Sequence, residues 1–339
     1  MSDMSEGKPF FLARNTGFAP ISEKDELLHP EQNKLVKDDT LTETQYFGFC
    51  VPEEGIHALA YLWHHPNLGV VSGGINVWKG ITQTMAHAEL ADWRTFMSDS
   101  VLKNDLHDFR FANGYGVRIV EPLKHLHMTY ADPVRKNSVD LHFKGVAPPI
   151  MFADGNHFEQ TMKVTGELVL RGKRYNVDCY NVRDRSWGKP RQETIQTLPP
   201  LSWVTGTFND NFSFNCNMFD CIEGNPELKG TPFAITAENS LNSGWLYRDG
   251  KVGNIVSVRK RVGRAPGNLL PITLDFEATD DLGRTFNVKG KLVSSLMQTA
   301  WQNIDIHINL MRWECEGMVA YGDCQEANWT DYFHFINGR

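Results

Sequence analysis

The chain has 339 residues, 41% hydrophobic and 22% charged, with 34 basic and 41 acidic side chains and a formal net charge of −7. At roughly 150 residues per domain, this length predicts two domains or one large β domain, either able to bury a core. The acidic balance argues against nucleic acid or an anionic membrane as partner, and no run approaches the ~18 apolar residues needed to span a bilayer.

The polar opening Met1-Ser-Asp-Met-Ser-Glu-Gly-Lys8 lacks the apolar core of a signal segment, so a cytoplasmic location is expected. Residues 1–40 read as loop, with Pro9, Pro20 and Pro30 breaking any helix. Regular structure is expected from about Thr44. Tyr46 to Val51 and Ile56 to Trp63 read as strands joined by Pro52-Glu-Glu-Gly55, and Val70 to Lys79 as a third, with a bulge or close approach at Gly73-Gly74. Met85 to Met97 is the best helix candidate, although Trp93-Arg-Thr-Phe96 also suits a strand. Asn113-Gly114 marks a hairpin, and His125 to Tyr130 and Val139 to Phe143 alternate at period two. Gln160 to Leu170, an Arg171-Gly-Lys turn, and Tyr175 to Arg183 close the first half.

The second half repeats this texture. Strands are expected at Leu201 to Thr207, Asn211 to Phe219, Ser243 to Arg248, Val252 to Val258, Ile272 to Thr279, Thr285 to Leu292 and Asn303 to Ala320. Short strands with turn signals every 8–12 residues predict an all-β barrel or sandwich architecture. The cluster Arg259-Lys260-Arg261 with Arg264 reads as a solvated strand end. Six cysteines without a Cys-x-x-Cys pair are expected to be reduced and mostly buried.

No Walker A loop, Rossmann glycine fingerprint or Gly-x-Ser-x-Gly elbow occurs, so no cofactor is assigned. His125-x-His127 puts two imidazoles on one strand face, but a third ligand at sensible spacing is not evident, and no metal is assigned. His64-His65 is either a proton shuttle at a barrel mouth or a polar turn. Glu326 is either an inward-facing acid or a strand-end cap. Nine Trp, nine Tyr and twenty Phe are core by default, but an aromatic-lined cavity also suits a large apolar ligand. Trp63, Trp78, Trp187, Trp203, Trp245, Trp301 and Trp313 all fall at strand positions that could face one.

The segment Arg183-Asp-Arg-Ser-Trp-Gly-Lys-Pro-Arg191 lies at the seam of the two halves. Asp184 there is open to two readings. In a dry aromatic pocket its carboxyl would stay protonated near neutral pH and act as an acid. Paired with Arg183, Arg185 or Arg191 it would be an anchor.

This segment, with the hairpin Gly172 to Tyr180 before it, resembles the Asp-His-Ser/Asn-Trp-Gly signature of the hydroxyneurosporene synthase (carotenoid 1,2-hydratase)/AttH-like family. That family is similar to kievitone hydratase and, more remotely, to fungal decalin-forming Diels–Alderases. His65-Pro-Asn-Leu-Gly69 and Leu126 to Pro133 extend the resemblance across the chain from about residue 40. It implies two lipocalin/calycin-like β domains side by side with few short helices, at 41–195 and 196–339 after an extended segment 1–40. A ligand pocket is implied near their junction.

The resemblance also implies a cofactor-independent lyase (hydratase or dehydratase), isomerase or cyclase acting on a hydrophobic terpenoid, steroid or polyketide-like molecule. The alternative is a non-catalytic carrier of a lipophilic metabolite. Asp184, Ser186, Trp187 and Gly188 match the signature. Arg185 replaces its histidine and cannot deliver a proton near neutral pH. The family's second acidic position is not matched cleanly, with Asp210 and Asp220 nearest and Asn215 or Asn217 as replacements. The expected catalytic residues are Asp184, Arg185 and Glu326. The expected substrate-binding residues are Trp187, Trp203, Tyr180, Trp245, His65 and Asn217. A homodimer is compatible with this reading.

Overall fold

The computed structural model describes residues 16–191, 197–301 and 303–338. The Met1 to Lys8 opening, Pro9, the boundary at 195/196 and the Trp301 side chain, all named above, lie outside what it describes. The strands of the first half are β1 Phe18–Ala19, β2 Leu41–Val51, β3 Ile56–His65, β4 Val70–Lys79, β5 Ile81–Thr82, β6 Leu90–Ser98, β7 Asp108–Arg110, β8 Gly116–Glu121, β9 His125–Asp132, β10 Asn137–Gly145, β11 Ile150–Phe152, β12 His157–Leu170 and β13 Lys173–Pro190. Those of the second half are β14 Leu201–Asn209, β15 Phe212–Phe219, β16 Leu241–Arg248, β17 Lys251–Arg264, β18 Pro271–Asp280, β19 Thr285–Trp301, β20 Ile304–Cys315 and β21 Met318–Trp329. The α-helices are short: α1 Pro30–Asn33, α2 Ala237–Ser240 and α3 Thr330–Ile336.

Two sheets form. The first runs β6-β4-β3-β2-β13-β12-β10-β9-β8-β7, with β11 on β12 and β1 on β11. It stays open and curls over a core that includes Phe47, Phe49, Leu62, Phe109, Phe143 and Leu168. The second runs β18-β17-β16-β15-β14-β21-β20-β19 and closes by pairing β18 with β19, giving an eight-stranded barrel. The short β5 leaves the first half and adds in parallel to β19 at Ser295 and Leu296. This is an all-β, two-domain lipocalin-like fold.

Burial follows from strand alternation. In β2 every residue is buried, a pattern a half-solvated strand cannot give. Phe47, Phe49 and Val51 enter the first core, while Tyr46 points to the barrel. Even-numbered Val204, Phe214, Cys216 and Met218 fill the barrel, so odd-numbered neighbours such as Trp203, Asn215 and Asn217 face outward. Trp313 lies within the barrel and donates its indole N–H to the Thr205 carbonyl at 2.8 Å. Gly290 makes room for it: a Cβ there would lie 2.1 Å from the ring. Burying one such large side chain stabilises by about 1.5–3 kcal/mol.

Two apolar patches join the domains. Tyr46, Leu59 and Trp78 meet Leu201, Phe219, Ile306, Ile308 and Trp329. Ile150, Phe152 and Val182 meet Trp245 and Tyr247. Trp203 packs on both.

Some expectations need correction. Met85 to Met97 forms no helix: a 3₁₀ turn at Met85–His87 leads into β6, which pairs with β4 and stacks Trp93 on Tyr61 at 6.3 Å. Aromatic packing on a sheet edge outweighs the Ala and Glu content. The register shift falls just before Gly73-Gly74, between Val71 and Gly73, and the close approach is at Gly74, where a Cβ would lie 1.9 Å from the Asp92 carbonyl. Pro30 starts helix α1, because its missing N–H belongs to a position that needs no partner. Structure thus begins well before Thr44, with Glu26, His29 and Asn33 buried. In the basic cluster Lys260 is buried on Asp220, and Arg264 bridges Asp220 and Glu326. All six cysteines are free and buried.

Candidate active site at the domain junction

Strand register builds the site. Across β12-β13-β2-β3 it aligns Glu159, Asp184, Tyr46 and Tyr61 in one row. One step along, it aligns His157, Ser186, Thr44 and Trp63. Directly opposed residues share a face, so both rows lie on the side that meets the barrel. The barrel's β21-β14-β15-β16 presents the row Gln325, Trp203, Asn217 and Ser243.

Hydrogen bonds stitch these surfaces together. Glu159 accepts from the indoles of Trp203 at 2.7 Å and Trp245 at 2.6 Å. Asp323 accepts from Tyr46 at 2.9 Å and Asn181 at 2.8 Å, and lies 2.6 Å from His57 Nε2. Thr161 donates to Ser213 at 2.9 Å. Trp203 meets Tyr46 edge-on at 5.7 Å.

Asp184 lies between Val182 of one apolar patch and Tyr46 of the other. It is half-buried. Among the described residues none gives its carboxyl a hydrogen bond or ion pair. Its neighbours in sequence are committed elsewhere. Arg183 forks onto Glu26 at 2.5 and 2.8 Å and bonds Gln160, while Arg185 bonds Glu43 at 2.6 Å and the Glu26 carbonyl. Burial pushes Asp184 up to about 6; His157 pulls it back and the charge of Glu159 reinforces the rise. Burial alone would lower His157, but its contact with Glu159 at 3.4 Å and the charge of Asp184 raise it. Tyr61 is pushed up to about 12, by burial and then by Asp184. The junction thus holds a carboxyl that exchanges protons near pH 6, beside an imidazole and three aromatic rings.

The expected site residues divide into two groups. Trp203, Trp245 and Asn217 join Asp184 at the junction. Asn217 bonds Asn242 at 3.2 Å, and its Oδ1 is buried without a partner among the described residues. His65 shares the face of Tyr61 and Trp63, at the strand's end, with its ring 5.1 Å from Trp63. Tyr180 sits further along β13, bonded to Asp210 at 2.7 Å across the rim.

Arg185 and Trp187 point the other way. Arg185 is fully buried in its pair with Glu43, and Trp187 stacks on His29 at 3.8 Å and packs on Met151 and Phe158. Neither reaches the junction, because Arg183, Arg185 and Trp187 alternate onto the face of β13 that meets the segment around α1. Glu326 is buried beneath Arg264 and accepts from Ser202 at 2.6 Å, an ion pair rather than an open acid.

Sequence reading missed His157, Glu159, Tyr46 and Tyr61. A usable signal existed. A tight turn pairing Leu170 with Lys173 sets the hairpin register and brings Glu159 opposite Asp184. Asn215 was named only as a replacement for a lost acid. It lies on β15 opposite both Thr205 and Trp245, fully buried, and neither end of its amide has a partner among the described residues.

The fold and junction define a class: paired lipocalin-like domains with an acidic group buried between them. The family model described as domain of unknown function (DUF7064) matches residues 22–331, and the chain belongs to that family. No curated protein matches. Among solved structures the chain is similar to kievitone hydratase from Nectria haematococca, with a TM-score of 0.53 and 9% identity over 95% of this chain and 99% of that one. It is also similar to an AttH-like protein from Nitrosomonas europaea, with a TM-score of 0.49 and 10% identity over 91% and 98% of the two chains. At such identities the first likeness is one of fold, in line with the resemblance read from the central motif, and the second carries no argument.

Proposed function

We propose that the protein is a hydro-lyase, isomerase or cyclase that works by acid/base chemistry on a hydrophobic terpenoid, steroid or polyketide-like molecule held at the domain junction. The observation that carries this reading is the half-buried, unpaired carboxyl of Asp184, with its pKa pushed up to about 6 by burial. In the hydration direction, Asp184 gives its proton to an alkene carbon, and the π pair forms the new C–H bond. Water then adds to the cationic carbon and releases a proton to the Asp184 carboxylate, directly or through His157. The faces of Trp203, Tyr46 and Tyr61 steady the positive charge. The orphaned amide of Asn215 and the unpartnered Oδ1 of Asn217 suit an oxygen function of the substrate. General acid catalysis supplies about 10²–10⁴-fold, so positioning in a dry site supplies the rest.

The test is to incubate the purified protein with prenylated and terpenoid compounds and follow gain or loss of one water, or isomerisation, by mass spectrometry and chromatography. Turnover by the parent that Asp184→Asn abolishes supports the assignment. Turnover that survives the substitution removes Asp184 from it.

One observation favours a second reading. Arg185 stands where the related signature has histidine, and it is spent on Glu43. A carrier of a lipophilic metabolite would need no proton donor there. Native mass spectrometry of protein from its own host separates the two: a carrier retains an unaltered ligand.

A further inference from the structure

The His125-x-His127 pair lies far from the junction, on β9, and the sequence offers it no third ligand. The hairpin to β10 provides two. His142 stands directly opposite His127 in register, and Asp140 lies two residues before it on the same face. The rings of His127 and His142 stack at 4.5 Å and 11°, and His127 Nε2 lies 2.7 Å from Asp140 Oδ1. One donor atom each from His127, Asp140 and His142 falls within 4.8 Å of the other two. On the far side His142 Nδ1 lies 3.0 Å from His125 Nε2.

We propose that His127, Asp140 and His142 bind a divalent late first-row cation, with zinc as the best match, and that His125 orients His142. Tetrahedral zinc with bonds of about 2.0–2.1 Å needs donors roughly 3.3 Å apart, which small side-chain rotations supply here. Two imidazoles and one carboxylate suit zinc, nickel or copper better than magnesium or calcium, which prefer all-oxygen sites. The fourth position faces solvent, since Asp140 is exposed, and water fills it.

The surroundings agree with this use. His125, His127 and His142 are half-buried while Asp140 is exposed, so the cluster opens to solvent on one side. Arg118, opposite His127, and Lys144, opposite His125, bring positive charge to the edge of the cluster. Glu121, opposite His125, and Glu167, opposite Asp140, offset their positive charge. The cation would clamp β9 to β10 on the outer face of the open sheet.

The test is titration calorimetry of the full chain with zinc chloride at pH 7.5, backed by equilibrium dialysis. One zinc per chain is expected at micromolar affinity, with binding lost at pH 5.5 as the histidines protonate. His142→Ala and Asp140→Asn should each weaken it by tenfold or more, and His125→Ala by roughly tenfold as an outer partner. Thermal melts without zinc should match the parent for all three, because these side chains lie on the outer face. Absence of saturable binding overturns the proposal. So does binding that persists unchanged in a His127→Ala, His142→Ala double variant.

Discussion

Glu159 and Asp184 stand directly opposite each other on neighbouring strands, but only Glu159 is bonded, to the indoles of Trp203 and Trp245. Two carboxyls in one row thus meet different surroundings, and burial pushes the pKa of Asp184 up to about 6. Such separation lets one fold hold an acid and a fixed charge side by side.

The same separation has a stability cost. Asp184 rises from 3.8 to about 6 on folding, so between those values the folded state binds more protons than the unfolded chain. Its contribution is fully present below 3.8 and is lost as pH rises through 6. The gap corresponds to roughly 3 kcal/mol at about 1.4 kcal/mol per unit, and partial exposure lowers the expected value to about 1–2 kcal/mol. Asp184→Asn should therefore stabilise the protein at pH 8 and do little below pH 4. Urea melts at the two values measure this, and equal stability at pH 8 would contradict the assigned acidity.

If Asp184 is the acid, kcat/KM should fall about tenfold per pH unit above its titration. His157 is the strongest charged influence lowering Asp184. His157→Gln should move the falling limb to higher pH, while a limb that stays in place would mean that another group is titrating. The pH–rate profile of the two proteins decides.

Two tryptophans should separate by readout. Trp203→Phe removes an indole donor from Glu159 at the junction and should raise KM or lower kcat by tenfold or more. Trp187→Phe loses part of a stack on His29 and should cost about 1–2 kcal/mol of stability, leaving kinetics near the parent's. Paired melts and kinetics of the two variants provide the check.

Arg183 and Glu26 form a fully buried pair. Arg183→Met strands the carboxylate and should cost about 3–5 kcal/mol, read as a lowered urea midpoint. Burial alone would raise the pKa of Glu26 and Glu43, but their arginine and hydrogen-bond partners outweigh it and hold both below the usual carboxylate range. Stability from these groups is present above about 4.5 and is lost as pH falls below it. Hydrogen exchange should show residues 23–36 loosening on acidification before the barrel does.

Much of the fold was legible. Period-two alternation and turn residues fix most strands, and the Asp-Arg-Ser-Trp-Gly segment pointed to the junction. What failed depended on which face a residue took. From sequence, Arg185 and Trp187 looked as available as Asp184. Strand alternation sends them to the opposite side, where Glu43 and His29 wait. The Met85 to Met97 helix failed because the pairing of β6 with β4 is a tertiary gain that local propensity does not carry. The open first sheet and the closed barrel differ only in whether edge strands meet, as β18 and β19 do, and no single strand announces that.

The socket around Glu26 sets an order of assembly. Glu26 emerges from the ribosome 157 positions ahead of Arg183, so its carboxylate stays hydrated until β12 and β13 exist to receive it. Closing so long a loop comes late. The segment around Glu26, made early, is therefore among the last to dock, and until it does that side of β13 exposes two bare guanidinium groups and an indole for chaperones to shield.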